Sequence, residues 1–188
     1  MVDAQSDEDT VAIAEAGGAS VISTQQRGRA RQMNLGAEHS KGEILLFVHG
    51  DTSVPHKALR YLRDACEDRG LLGGGFSRRF DSPSRWLSFT AWCADFRGRW
   101  WGLFLGDQGQ FVRREVFEEL GGFDEAVAVG EDLDFSFRLA RRGKTRLIVP
   151  PILSSARRFE KHGPWRQTWM DFRAARAILQ ASRIRLSS

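Results

Sequence analysis

The chain has 188 residues, 41% of them hydrophobic and 28% charged, which is enough for one domain with its own core and too little for two. No stretch offers the roughly 20 apolar residues of a membrane span. The acidic, polar start MVDAQSDEDT lacks the basic-then-apolar character of a secretory leader, so a cytoplasmic protein is expected. The net charge of +4 conceals a basic end: residues 141–188 hold twelve Arg or Lys against only Glu160 and Asp171, and 24 of the 28 basic residues are arginine. Such an end suits an anionic partner (a phosphorylated small molecule, an acidic lipid surface or nucleic acid) or is simply a solvated basic face. Cys66 and Cys93 lie far apart without metal-ligand spacing, which argues against a disulfide framework or a zinc site and predicts two buried thiols.

Taken in chain order, residues 9–16 carry helix formers that stop at Gly17-Gly18, and ASVIST reads as a short strand. A second helix is predicted from Ala30 to Ser40, ended by Lys41-Gly42. The apolar run of GEILLFVHGDTSVP, residues 42–55, predicts a buried strand. After Pro55, Leu59, Leu62 and Cys66 fall at helical spacing up to Gly70. LLGGGFSRRF is a weaker strand. It leads into a tryptophan-rich segment in which Trp86, Phe89, Trp92, Cys93 and Phe96 share one helix face, expected to be core or to lie on an apolar surface. A short helix over 115–120 stops at Gly121-Gly122, and a longer one runs from Asp132 to Arg142 with Leu133, Phe137 and Ala140 on one stripe and Gly143 as its cap. TRLIVPPILSS is predicted as a last strand broken by Pro150-Pro151, followed by a basic helix from Trp165 to Ile184. Strand-helix alternation of this kind indicates an α/β fold with a mostly parallel sheet, whose ligands bind at the carboxyl ends of the strands.

Chemistry-bearing residues gather where that edge should lie. His49 and Asp51 end the apolar run; at i and i+2 on an extended segment they would point the same way. An imidazole and a carboxylate suit Mn²⁺ somewhat better than Mg²⁺, with water or phosphate oxygens completing the shell; the competing reading makes Asp51 a cap for the next helix. Glu131, Asp132 and Asp134 crowd a helix start, where the macrodipole favours negative charge, yet three carboxylates exceed what capping requires, and one could act as general base toward a hydroxyl. In GDQGQFVRRE, Asp107 and Gln108 could bind a polyol or simply occupy a surface turn. Arg27, Arg29, Arg31, Arg157 and Arg158 are candidates for phosphate contact; each taken singly reads as a surface arginine, but several converge on the same expected edge.

In order, VDAQSDEDT, RGRARQMNLGAEHSKGEILLFVHGDT, GDQGQFVRREVFEELGGFDE and GEDLDFSFRLARRG resemble the successive landmarks of family 2 glycosyltransferases of GT-A fold, over residues 2 to about 160. The chain is most similar to a small bacterial subgroup with an H-x-D motif in place of D-x-D. The resemblance implies that Asp51 and His49 hold the metal, that Asp132, beside Glu131, is the catalytic base, and that Asp3, Arg31, Asn34, His49 and Asp51 meet the donor. It further implies that Asp107 and Gln108 lie on the acceptor side. The implied reaction is metal-dependent (Mn²⁺ or Mg²⁺), inverting transfer from a nucleotide diphosphate sugar to an acceptor hydroxyl.

Set against the family pattern, the resemblance implies that VDAQSD corresponds to the end of a second strand; the first strand-helix unit is then expected to be absent from this sequence, and sheet edges to lack a partner unless another segment or chain covers them. Ala4 replaces the second aspartate of the usual VDDGS, leaving Asp3. The expected organisation is a single domain over 1–188, with a partial nucleotide-binding half (1–70), an acceptor and catalytic half (71–160) and a basic C-terminal helix (161–188). Two rivals stand beside it: a non-catalytic GT-A-like module binding an anionic ligand or membrane surface, and a nucleic-acid binder, which the absence of a recognition motif disfavours. A lipid-linked acceptor, with peripheral contact at the inner face of the membrane, is a further expectation drawn from the tryptophans of 86–104 and the arginines of 166–185.

Overall fold

The structure is a computed structural model that describes residues 1–6, 8–127, 129–157 and 159. In chain order it runs β1 (Val2–Asp3), α1 (Glu8–Ala16), β2 (Ile22–Ser23), α2 (Arg29–His39), β3 (Ile44–Phe47), β4 (Thr52–Ser53), α3 (His56–Cys66), β5 (Gly73–Phe80) and α4 (Arg85–Trp101). A 3-10 turn (Gly106–Gln108) follows, then β6 (Gln110–Arg113), α5 (Arg114–Glu119), α6 (Glu131–Arg142) and β7 (Thr145–Ser154). The basic C-terminal helix predicted from Trp165 lies outside the described residues.

Local chemistry explains the boundaries that matter for the site. At the start of α4 the Ser84 hydroxyl accepts the Leu87 amide, and Gly102, at φ 65°, ends the helix in the left-handed region. Helix α6 opens with Glu131, Asp132 and Asp134 and closes with Arg141 and Arg142, complementing its dipole at both ends.

The sheet comes in two pieces. Strands β1 and β2 pair in parallel, and a five-stranded sheet has the order β3-β6-β5-β7-β4. Only β5 and β7 are parallel within the larger piece; β6 runs antiparallel to both β3 and β5, and β4 antiparallel to β7. The expectation of a mostly parallel sheet is therefore corrected to a mixed one, because the turn after α4 reverses the chain and inserts β6 between β3 and β5. A cleft of about 1030 Å³ separates the two pieces, lined by β1 residues on one side and by Ile44–Phe47 of β3 on the other.

Alternation along the strands feeds two cores. Leu45 and Val112 face α2, α5 and α6 with Phe117, Phe123 and Phe135, whereas Phe111, Phe76 and Ile152 face α3 through Ala58 and Leu62. Helix α4 packs through Leu87, Ala91, Ala94 and Gly98. There Phe104, fully buried, lies against two glycines: a Cβ at Gly75 would stand 2.6 Å from Phe104 Cδ1, and one at Gly98 2.6 Å from Cε1. Only hydrogen at both positions lets the ring fill that space.

Several predicted faces turn out rotated. On α3 the buried residues are Ala58, Leu62 and Ala65, with Leu59 exposed, and the helix stops at Cys66 rather than Gly70. On α6, Leu133, Phe135 and Leu139 are buried, while Phe137 and Ala140 are half-buried. The α4 face read as core is the opposite of the buried one: Phe89, Trp92, Cys93 and Phe96 are exposed, because the small residues pack closely enough on the sheet to claim the interior. Cys66 is half-buried, with its thiol pushed up by burial, so neither cysteine is a fully buried thiol. Strand β7 continues through the proline pair instead of breaking there; Val149–Pro150 is cis, and its ladder with β5 shifts register between Phe76 and Arg78.

Candidate active site

Three segments meet at one end of the larger sheet: the turn after β3, the 3-10 turn before β6, and the first turn of α6. The first is not the extended segment that i, i+2 reasoning assumed. Thr52 N donates to His49 O at 3.0 Å, so His49-Gly50-Asp51 is a tight reverse turn, closed further by Ser155 N donating to Asp51 O at 3.0 Å. This geometry still leaves His49 and Asp51 both lining the cleft.

Gly106 lies where His49 and Asp132 converge. Its N–H donates to Asp132 Oδ2 at 2.6 Å, and a Cβ placed on it would stand 2.5 Å from His49 Cε1, closer still to Nε2, and 3.1 Å from Asp132 Oδ2. Asp132 Oδ1 accepts the Leu133 amide at 2.8 Å, and its backbone carbonyl accepts Gln110 Nε2 at 2.8 Å. Gln110 also donates to Phe104 O at 2.7 Å, and one turn along α6 the Ser136 hydroxyl accepts Phe104 N at 2.7 Å. These bonds seat the start of α6 rigidly against residues 102–106.

Glu131 differs from its neighbour. Buried, it has its carboxyl pushed above the usual range by loss of water and, secondly, by the charge of Asp132, with the Arg29 guanidinium at 3.4 Å pulling the other way. Arg29 also lines the cleft. Arg97, reaching inward from α4, donates to Gln108 Oε1 at 2.8 Å and to Leu103 O at 3.1 Å; burial lowers its guanidinium pKa, and Asp132 chiefly opposes that.

The remaining predicted residues divide. Asp3 lines the cleft, and hydrogen bonds from Ser6 hold its carboxyl below the ordinary value. Asn34 does not face the cleft: its amide receives Phe123 N at 2.9 Å and donates to Phe123 O at 2.9 Å and to Glu125 at 3.2 Å. Arg31 likewise pairs with Glu125 at 2.8 Å, so both of these residues expected to meet the donor lie against residues 123–125, and helical spacing turns Arg29 and Gln32 to the cleft. Gln108, expected on the acceptor side, is fully buried and bonded to Arg97, Leu105 N and Phe76 O, where it braces the turn. Asp107 is half-buried and ion-paired with Arg78, while Ser154 Oγ donates to its carbonyl at 2.9 Å. Arg157 is exposed, and Arg158 lies outside the described residues.

Sequence reasoning missed Arg97, Gln110 and Ser136. Arg97 sat within a helix read only for its aromatics, although an arginine spaced with the small buried residues was a signal. Gln110 stood in the quoted GDQGQ motif.

A divalent ion that keeps several waters and takes most of its oxygens from substrate phosphates needs only one or two protein carboxylates. Asp51, half-exposed on the cleft with His49 beside it, fits that demand. Among the described residues no three His, Cys, Asp or Glu side chains form a cage that would hold a metal unaided.

The profile of Glycosyl transferase family 2 matches residues 1–121. The O-antigen biosynthesis protein RfbC of Myxococcus xanthus is 27% identical over 182 residues, covering 78% of this chain and 14% of that protein. Among solved structures, the mannosyltransferase PcManGT from Pyrobaculum calidifontis, in complex with GDP-Man and Mn²⁺, superposes with a TM-score of 0.62 at 23% identity over 82% of this chain and 46% of its own. S. aureus TarS 1-349 in complex with UDP gives 0.64 at 15% identity, over 82% of this chain and 49% of its own. Glucosyl-3-phosphoglycerate synthase from Mycobacterium tuberculosis, in complex with Mn²⁺ and UDP-glucose, gives 0.54 at 17%, over 82% and 57%. The chain thus spans about half the length of these structures and a small part of the curated relative. With its profile match over most of the chain and the GT-A fold of its structural neighbours, the chain belongs to glycosyltransferase family 2.

Proposed function

We propose that this chain transfers a sugar from a nucleoside diphosphate sugar to an acceptor hydroxyl with inversion at the anomeric carbon. The observation that carries this reading is the corner shared by His49, Gly106 and Asp132, beside a cleft that Asp51 also lines. Asp132 is held by backbone N–H donors on both carboxylate oxygens, so its orientation is set before any substrate arrives. The acceptor oxygen forms its bond to the anomeric carbon as the bond to the diphosphate oxygen breaks, and the hydroxyl proton passes to Asp132. Arg29, paired with Glu131 on the cleft wall, supplies positive charge toward the departing diphosphate. A divalent ion held by Asp51 and His49 would neutralise charge on that diphosphate.

The solved neighbours carry GDP-Man, UDP and UDP-glucose, which supports a nucleotide-sugar donor without choosing among bases. A lipid-linked acceptor is the form of this reading in which the enzyme works beside a bilayer. Among the described residues no helix is long and apolar enough to cross one. Calorimetric titration with a set of nucleoside diphosphate sugars, with and without Mn²⁺, tests the donor half. One donor binding only with the metal is the expected result. Asp132→Asn then tests the chemistry: transfer should fall by about 10²-fold or more with donor affinity unchanged, and retained transfer would remove Asp132 from the mechanism.

A further inference from the structure

The outer face of α4 carries five exposed aromatic side chains that the transfer reading does not use: Phe89 (50% exposed), Trp92 (60%), Phe96 (43%), Trp100 (68%) and Trp101 (61%). Positions 89, 92, 96 and 100 follow the three- and four-residue spacing of a single stripe. Their rings touch in series, with centroids 6.1 Å apart for Phe89 and Trp92, 5.8 Å for Trp92 and Phe96, and 6.0 Å for Phe96 and Trp100. Leu87, Ala91, Ala94 and Gly98, which pack on the sheet, occupy the opposite face. At roughly half of a 150–250 Å² ring surface each, the five leave about 500 Å² of apolar area in water, toward the upper end of the largest patch a monomer exposes, which is often a functional surface.

Charge on the same helix selects the partner. Arg85 and Arg99 are exposed at the two ends of the stripe. The one carboxylate of α4, Asp95, is turned inward, accepting the Ser77 hydroxyl at 2.5 Å. A second copy seated on the ridge about a two-fold axis would bring Arg85 of one copy against Arg99 of the other, with no acid on α4 to offset them. Tryptophan-rich apolar faces bordered by arginine match the boundary between acyl chains and anionic headgroups, where the ring sits at headgroup depth and the guanidinium meets phosphate.

We propose that α4 lies in the plane of an anionic lipid surface, its aromatic ridge inserted among the headgroups and Arg85 and Arg99 on lipid phosphates. The inference does not depend on sugar transfer. It does place the site, because the inner side of the same helix sends Arg97 to Leu103 and Gln108, beside Gly106. Docking would hold that turn about one helix diameter, ~10 Å, from the bilayer.

The test is flotation of the full chain with vesicles of phosphatidylcholine alone or mixed with phosphatidylglycerol, without nucleotide sugar, so that its outcome is separate from any result on transfer. The wild-type chain should float with the mixed vesicles, with a blue shift of tryptophan emission. The double variant Trp92→Ser/Trp100→Ser, altered only at exposed positions, should keep its thermal midpoint and bind roughly tenfold more weakly or not at all. Arg85→Glu/Arg99→Glu should bind weakly and show a flatter salt dependence. Failure of the wild-type chain to float overturns the proposal, as does equal flotation of the tryptophan variant, which would assign binding to basic residues elsewhere. A concentration-dependent dimer abolished by Trp92→Ser/Trp100→Ser, or single-stranded oligonucleotide bound through the same residues, would replace it with a self-association or nucleic-acid surface.

Discussion

Gly106→Ala isolates the geometry on which the site depends. The φ of Gly106 is not in the left-handed region, so its backbone admits alanine, and the whole cost is steric. A Cβ there stands 2.5 Å from His49 Cε1, and the imidazole must retreat by about 1 Å to reach an ordinary 3.4 Å contact, while Asp132 Oδ2 at 3.1 Å must also give. Displacement of that size at a reacting centre costs about 10²-fold in rate. Stability should change little, because the nearest contact is with a side-chain ring that can swing rather than with backbone. The assay is release of nucleoside diphosphate from the donor identified by calorimetry, with kcat and KM separated and the fold checked by thermal melting. The same substitution in a His49→Ala background supplies the control: with the ring gone, Gly106→Ala should cost only a few-fold. Equal costs in the two backgrounds, or a folded Gly106→Ala enzyme with full activity, would refute the reasoning.

Glu131→Gln addresses the raised carboxyl. In the folded chain Glu131 holds its proton more tightly than the ordinary pKa of 4.5 allows, so its contribution to stability declines as pH rises from about 4.5 through the raised folded value. The glutamine variant should be more stable than the wild type above that window, with the difference shrinking on acidification; thermal midpoints across pH give the sign. Phe104→Ala empties the space between Gly75 and Gly98 and should cost about 3–5 kcal/mol in chemical denaturation. Asn34→Ala breaks a two-way amide bond to Phe123 and should cost about 1–3 kcal/mol of stability with donor affinity intact; a loss of donor affinity at unchanged stability would return Asn34 to the binding site.

The places where sequence reasoning and structure part have a common physical origin. Periodicity locates a helix but not which side faces in when both sides are apolar or small. On α4 the alanines and Gly98 win the interior by fitting tightly against β5 and Phe104, which leaves the large rings outside. The same limit applied to α2, where Arg31 suited a phosphate site by type and Asn34 by the family resemblance, yet the helix turns them toward residues 123–125 and points Arg29 into the cleft. Gln108 was legible as a polar residue in a glycine-flanked turn. Its burial was not, because Arg97 and the Phe76 carbonyl that satisfy it come from distant parts of the chain.

The longer helices and most strands, the α/β class, the carboxylate cluster opening α6 and the family landmarks were present in local pattern, since caps, glycine stops and apolar runs act over a few residues, whereas β4 and β6 were not, the latter hidden in a segment read as a polar turn. Tertiary structure alone decided that β6 would insert antiparallel between β3 and β5, and that His49 would turn back toward Gly106 and Asp132, 57 and 83 positions further along the chain. Convergence of that kind follows from how sheet and helices pack around two cores, which no short window of residues contains.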